Sequence, residues 1–458
     1  MNMFSITFLV FFIILLFIYS RAKSINLQNK VLLLGSYLFY AYWDWRFLLL
    51  LISVSLTVYY SAKYCNKSKK AFHLGWVIPT LSLIICKYTN FFLDSFYSTF
   101  GISNHGSLEI ILPLGISFYT FLSISYVLDV KAGKINPEES FIPVALYIAF
   151  FPTVVSGPIT KARDMFHQFK VYHVIECSQL QIGAQLFLIG CIKKFVLADH
   201  LGILVDEVYK TPLAFDSSTV WLAMITYSLQ LYLDFAGYSD MAIGCSRALG
   251  FTIAENFNFP YLAKNISEFW KRWHMSLSSW LMEYFYIAIG GSRCVTWKIY
   301  RNLMLTMIVC GFWHGAAWNF VFWGAIHGIL LCFHRWYRST VGKKIKLPVI
   351  FNIVVTFFTA TFCWIFFRGS DMENIYQIFY RLFIWNDSSV NHMFFWSWIA
   401  IGAIIISGVF SVYKNHWNGC QPIMDISKPK YFFVFCMEIL VLWSLMYTGN
   451  NPFAYAAF

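Results

Sequence analysis

The 458-residue chain predicts an all-α, polytopic membrane protein, and three observations carry that prediction. It is 59% hydrophobic and only 12% charged, whereas a soluble domain carries about 25% charged residues. Apolar runs of about 20 residues, the length a helix needs to cross a bilayer core, recur along it. No stretch alternates apolar and polar residues as a barrel strand would. Helices and closed barrels are the two structures that satisfy backbone polar groups in lipid.

The first run, 3–20, lies in MNMFSITFLVFFIILLFIYS. It has no basic start and no small-x-small cleavage site, and Arg21 and Lys23 follow it. It reads as a retained first helix, not a signal peptide. Further runs cover 31–62, 74–97, 110–130, 141–158, 180–199, 219–249, 302–334, 347–367, 397–413 and 431–448. Several are long enough for two helices, or for one helix and a re-entrant piece. Together they give roughly ten to twelve membrane segments. The polar stretches between them, 63–71, 159–179, 206–218, 368–392 and 414–430, are too short to bury a core. Residues 1–458 therefore read as a single membrane domain.

The net charge is +12, with Lys and Arg in short clusters between the apolar runs. These are Lys67, Lys69 and Lys70; Lys161 and Arg163; Lys271 and Arg272; and Arg335, Arg338, Lys343, Lys344 and Lys346. That pattern fits cytoplasmic loops and contact with anionic membrane lipids, and it argues against nucleic acid as a partner. The eleven cysteines form no C-x-x-C and mostly sit inside apolar runs. They read as small hydrophobes, with no disulfide framework and no metal site.

One segment mixes charge with aromatics: NISEFWKRWHMSLSSWLMEYFYIAIGGSR, 265–293. Ile266, Phe269, Trp270, Trp273, Leu277, Trp280, Leu281 and Tyr284 recur at three- and four-residue spacing, which places them on one stripe of a helix. Glu268, Lys271, Arg272 and Glu283 fall opposite, and His274 lies at the stripe's edge. The prediction is one amphipathic helix that lies at the interface or dips into the membrane, stopped by Gly290-Gly291.

His314 stands in a stretch without a charged residue from Asn302 to His334. A helix starting near Arg301 would carry it about 20 Å along the axis. Gly311 and Gly315 flank it, so a neighbouring backbone or a ligand can approach closely. Two readings stand: a histidine tying helices together, or a general base in a cavity, for which an ordinary pKa of about 6.5 is suited. His274 is either an interfacial anchor or a second functional histidine, if its helix dips towards His314. His327 and His334 share a helix face, but no acidic residue accompanies them to complete a metal site.

Asp234 and Asp240 interrupt the run 219–249. Intramembrane carboxylates normally face a protein interior or a cavity. On a straight helix these two are about 240° apart, so they do not form one pair; Gly237 between them is a candidate break. Either they bond internally to Tyr232, Tyr238 or Ser239, or they form a polar wall of a substrate tunnel, to which Trp273, Trp313 and Asn319 are also assigned. There is no nucleophile elbow, phosphate loop or S-x-x-K. Catalysis would then be direct transfer with an imidazole base, which suits acyl transfer from a thioester to a hydroxyl.

Five motifs, in order, resemble the membrane-bound O-acyltransferases, in particular their alginate O-acetylase branch. They are LPLGISFYTF (112–121), AFFPTVVSGPI (149–159), QLYLDFAGYSDMAIGCSRALGF (230–251), NFPYLAKNISEFWKRWHMSLSSWLMEYFYIAIGGSR (258–293) and GFWHGAAWNFVFWGAIHG (311–328). The motif-bearing core is about 110–335. The resemblance implies helices around a central tunnel, His314 as the catalytic histidine and His274 as the second histidine beside the reaction point. It implies no tightly bound cofactor, with acetyl-CoA or another acyl thioester as donor on the cytoplasmic side. It further implies an exported, periplasmic acetyltransferase or small membrane protein as partner, a multi-pass location in a bacterial inner membrane, and O-acetylation of an exported polysaccharide such as alginate. Peptidoglycan O-acetylation and D-alanyl transfer to teichoic acid are the alternatives within the family. Met282-Glu283 stands where many members have Arg-Asp, and Ala288 where they have proline; both bear on acceptor and partner. Outside this class, a proton-coupled transporter would use the same histidines and Asp234 as a relay, and a lipid-directed acyltransferase would need a long greasy tunnel.

Overall fold

The structure, a computed structural model, describes residues 3, 5–102, 106, 108–340, 347–385, 402 and 425–446. Within them every regular element is a helix. The expected run 397–413 apart from Gly402, the basic residues Lys343, Lys344 and Lys346, and the polar residues 386–392 and 414–424 lie outside the described residues. Three of the described helices are long and apolar enough to cross a bilayer: Trp45–Tyr64, Lys69–Thr99 and Val349–Arg368. Ile6–Arg21 is apolar but shorter.

The chain divides into two compact units. The first comprises Met1–Phe187 and Ser239–Ala254. Its early helices begin where a short polar side chain can take up a free backbone N–H. Ser5, Ser24, Asp44 and Ser68 accept from Phe8, Leu27, Arg46 and Ala71, the usual device at a helix start. Asp44 thereby splits the apolar run 31–62 into Ile25–Ala41 and Trp45–Tyr64. Aromatic rings fill the interior: Phe8 packs on Phe39, Phe151 and Phe187, and Phe251 on Phe150 and Phe169.

The second unit comprises Leu188–Tyr238 and Glu255–Phe458. Its described part includes the helices Thr296–His314, Trp318–Ser339, Val349–Arg368 and Met372–Phe383. The helix Ser217–Ala248 runs 32 residues without interruption, about 48 Å at 1.5 Å per residue. Gly237 therefore does not break it. A Cβ there would press on the Gly190 carbonyl at 2.7 Å, so this glycine lets two backbones meet.

Two further expectations are corrected. Segment 265–293 is not one helix: it comprises Ile266–Trp270, Met275–Trp280 and a wide π-helical turn, Leu281–Tyr286. The break falls at His274, whose backbone is left-handed at φ 42°. The stripe nevertheless identifies the inward side: Ile266, Phe269, Trp270, Trp273, Leu277, Trp280 and Leu281 are all buried. His274 is not at its edge but fully enclosed, at 0% exposure. The stretch 302–334 holds two helices, as its length allows, Thr296–His314 and Trp318–Ser339, but His314 is the last residue of the first. It lies eighteen residues from that helix's start, about 27 Å along the axis and not 20 Å.

Candidate active site

Glycines set the hairpin that carries His314. A Cβ on Gly311 would run into the Phe320 carbonyl, one on Gly324 into the Met307 carbonyl, and one on Gly315 into the Phe320 ring. These glycines accommodate the chain's own backbone and ring, which lets the two helices touch closely, as small residues do in membrane proteins. Gly311→Ala is expected to lower stability by about 1–3 kcal/mol, the usual cost of overpacking; thermal unfolding in detergent would read it.

His314 thus projects from a helix end into aromatic side chains. Its ring lies 4.9 Å from Trp313, 5.2 Å from Trp323 and 5.2 Å from Phe367, centre to centre. It is 4% exposed. At a helix C-terminus the aligned carbonyls favour positive charge.

His274 is held from the other side. Met275 donates its N–H to the Asn256 carbonyl at 2.9 Å. The left-handed turn then points the imidazole at the Asn256 side chain, with Nδ1 3.2 Å from Oδ1. Ser276 donates to the same Oδ1 at 2.6 Å. An amide oxygen only accepts, so Nδ1 carries the proton and Nε2 carries the lone pair. Phe235 stands perpendicular to the ring at 4.6 Å.

The two imidazoles lie 6.5 Å apart, centre to centre. One small oxygen-bearing group would bridge a gap of that size with hydrogen bonds of about 3 Å. Trp313 touches both, at 6.1 Å from His274. Trp273 lies in the wall behind, 4.8 Å from Trp364 and 5.1 Å from Phe257. Both imidazoles are buried, between these rings and the Asn256 amide. If Asn256 fixes the tautomer, Asn256→Ala should cost about 10²-fold in turnover, the scale of a small misplacement of a reacting group. Kinetics on purified protein would show it as a fall in kcat with KM little changed.

The other sequence-predicted residues fall elsewhere. Asn319 donates its amide to the carbonyls of Phe366 and Gly369, at 3.2 and 3.1 Å. It thereby ties the start of one helix to the end of the next. Asp234 is buried at 2% exposure and pairs with Lys194 Nζ at 2.8 Å. The same ammonium reaches Asp199 at 2.8 Å. The sequence reading did not foresee this cation; the Gly190–Gly237 approach brings the two helices near enough for it. Asp240 belongs to the first unit and is only half-buried. His327 accepts from Trp270 Nε1 at 3.3 Å; His334 is half-buried.

Sequence reasoning missed Asn256, Ser276, Lys194 and Asp199. Lys193 and Lys194 did give a signal, since two adjacent lysines inside an apolar run demand a partner. Asn256 gave none, because its place beside His274 depends on a turn that periodicity cannot foresee.

A model of the membrane-bound O-acyltransferase family matches residues 138–344. The chain is 35% identical over 418 residues to a probable alginate O-acetylase of Azotobacter vinelandii, covering 88% of this chain and 83% of that protein. It is 37% identical over 379 residues to a probable alginate O-acetylase of Pseudomonas aeruginosa, covering 80% and 72%. It is 35% identical over 405 residues to a peptidoglycan O-acetyltransferase of Helicobacter pylori, covering 81% and 77%.

Proposed function

The chain belongs to the membrane-bound O-acyltransferase family and is an O-acyltransferase, and from that premise we propose that it moves an acetyl group across the membrane for O-acetylation of an exported cell-surface polysaccharide of the alginate kind. The acetyl group comes from a cytoplasmic thioester, acetyl-CoA or a similar carrier. The observation that carries this reading is the pair of buried histidines, 6.5 Å apart, inside an aromatic enclosure.

The acceptor hydroxyl oxygen attacks the thioester carbonyl carbon. His314 takes the hydroxyl proton as the new C–O bond forms. The C–S bond then breaks, and the proton passes from His314 to the departing sulfur. Proton and acyl group balance without any further reactant. His274, with its lone pair on Nε2, accepts a hydrogen bond. That suits it to orient the donor or the acceptor hydroxyl, whereas polarising the carbonyl would require a protonated ring. The enclosure excludes water, which would otherwise hydrolyse the thioester.

The names of the relatives favour acetyl transfer to a polymer outside the cell. We place the protein in a bacterial inner membrane as a multi-pass chain, with roughly ten to twelve membrane segments around a tunnel. An exported acetyltransferase or a small membrane protein would hand the group to the polymer. Segment 265–293 would enter the membrane and return. Cysteines placed at positions 265 and 293 should label from the same side with a membrane-impermeant thiol reagent; labelling from opposite sides would make the segment a full span.

Peptidoglycan is the second acceptor to consider, because similarity to the Helicobacter peptidoglycan enzyme is as high as to the Azotobacter alginate enzyme, 35% in each case. Ester released by mild alkali from separated exopolysaccharide and peptidoglycan fractions decides between them. Loss from exopolysaccharide on deletion of the gene supports the first reading; loss from peptidoglycan alone supports the second.

A further inference from the structure

The second unit holds a cavity of about 360 Å³ whose lining includes neither His274 nor His314. That is within the range of small-molecule pockets, about 300–1,000 Å³. Trp270, Met275, Leu281, Met307, Cys310 and Leu331 form its apolar walls. Lys271, Ser279 and Met282 also line it and are exposed, so they mark its mouth. Met282 at that mouth is itself an exposed large hydrophobe, and the elements that line the cavity carry three more, Ile287 just after Leu281–Tyr286 and Trp297 and Leu305 on Thr296–His314. The cavity therefore opens on an apolar surface, and in a membrane protein that surface meets lipid.

We propose that this cavity holds one acyl chain of an anionic membrane phospholipid, with Lys271 on its phosphate. An apolar cavity of this size gives water too few polar partners, while a hydrocarbon chain gains by filling it. Charge complementarity selects the headgroup. Arg272 is committed to Glu268 at 2.8 Å, whereas Lys271 makes no ion pair among the described residues and stands exposed. Ser267, Ser278 and Ser279 add hydroxyl groups to the lining. Cys310 is one helical turn before His314 and Met275 directly follows His274. A bound chain would thus brace both histidine-bearing segments without touching the reacting atoms.

This proposal does not rest on the acceptor or on the acyl group transferred, so its test reads lipid and not activity. Purified protein in detergent is mixed with equal amounts of phosphatidylglycerol and phosphatidylcholine of the same chain length, and retained lipid is counted by native mass spectrometry. The expected result is one retained phospholipid, with phosphatidylglycerol preferred about fivefold, the value of one lysine at an anionic surface. Lys271→Gln should abolish the preference and keep the chain. Met307→Phe and Leu303→Trp, which fill the cavity from different points, should each abolish retention while far-UV circular dichroism stays unchanged. Equal retention by the wild type and both filled variants would overturn the proposal. Displacement of the lipid by octanoyl-pantetheine would overturn it too, by giving the cavity to the thioester donor.

Discussion

Cells carrying His314→Ala should lose polymer-bound ester by about 10²–10⁴-fold, the usual worth of a general base, at matched protein level. The imidazole ends a helix between Trp313, Trp323 and Phe367, so alanine leaves a gap among aromatic rings. The protein should remain inserted and folded. His314→Gln keeps a polar side chain of similar size but cannot cycle a proton, so it should fail almost as badly. Ester released by mild alkali is the measurement, with thermal unfolding in detergent as control. Ester at the wild-type level in His314→Ala would remove the histidine from the chemistry and return attention to a proton-relaying transporter. Loss of both folding and ester in the alanine variant, with normal ester in glutamine, would make His314 a tie between helices.

Lys194→Met should give the largest loss of stability of any single change considered. Lys194, 3% exposed, holds both Asp199 and Asp234 at 2.8 Å. Removing it takes the cation from two buried carboxylates, and breaking such a cluster costs about 3–5 kcal/mol. Replacing all three together, Lys194→Met with Asp199→Leu and Asp234→Leu, should recover most of that, because no buried charge is then left unmatched. Asp234→Asn should fall between, since Asp199 still pairs with the lysine. The readout is the unfolding midpoint in detergent, alongside ester transfer. Normal stability with complete loss of transfer in Asp234→Asn would assign Asp234 to the chemistry.

The class of fold was legible because lipid imposes a simple rule. A segment surrounded by hydrocarbon must be apolar and helical, and composition records that directly. The buried stripe from Ile266 to Leu281 was legible for the same reason, since helical spacing survives even where the helix is broken. The break itself was not. Left-handed backbone at a histidine is uncommon and has no sequence signature comparable to glycine's. His314 stood out as a lone imidazole among apolar residues, yet its partners did not. Trp323 and Phe367 reach it from two other helices, and such long-range contacts follow from packing, which periodicity does not encode. Gly237 shows the same limit: a glycine in a helix reads equally as a break or as a close approach, and the backbone of Gly190 decides.

The left-handed turn at His274 has an evolutionary consequence. That backbone costs an ordinary side chain about 1–3 kcal/mol; glycine occupies it most readily, followed by asparagine, aspartate and histidine. His314, by contrast, sits in ordinary helical geometry that most residues tolerate. In a descendant released from selection for transfer, the two positions should drift differently. Position 314 should wander among apolar residues of moderate size. Position 274 should collapse towards glycine or asparagine, because the turn would still have to be made after the imidazole had ceased to matter. Histidine retained at 314 therefore testifies to retained function more strongly than histidine retained at 274, which the turn itself accommodates.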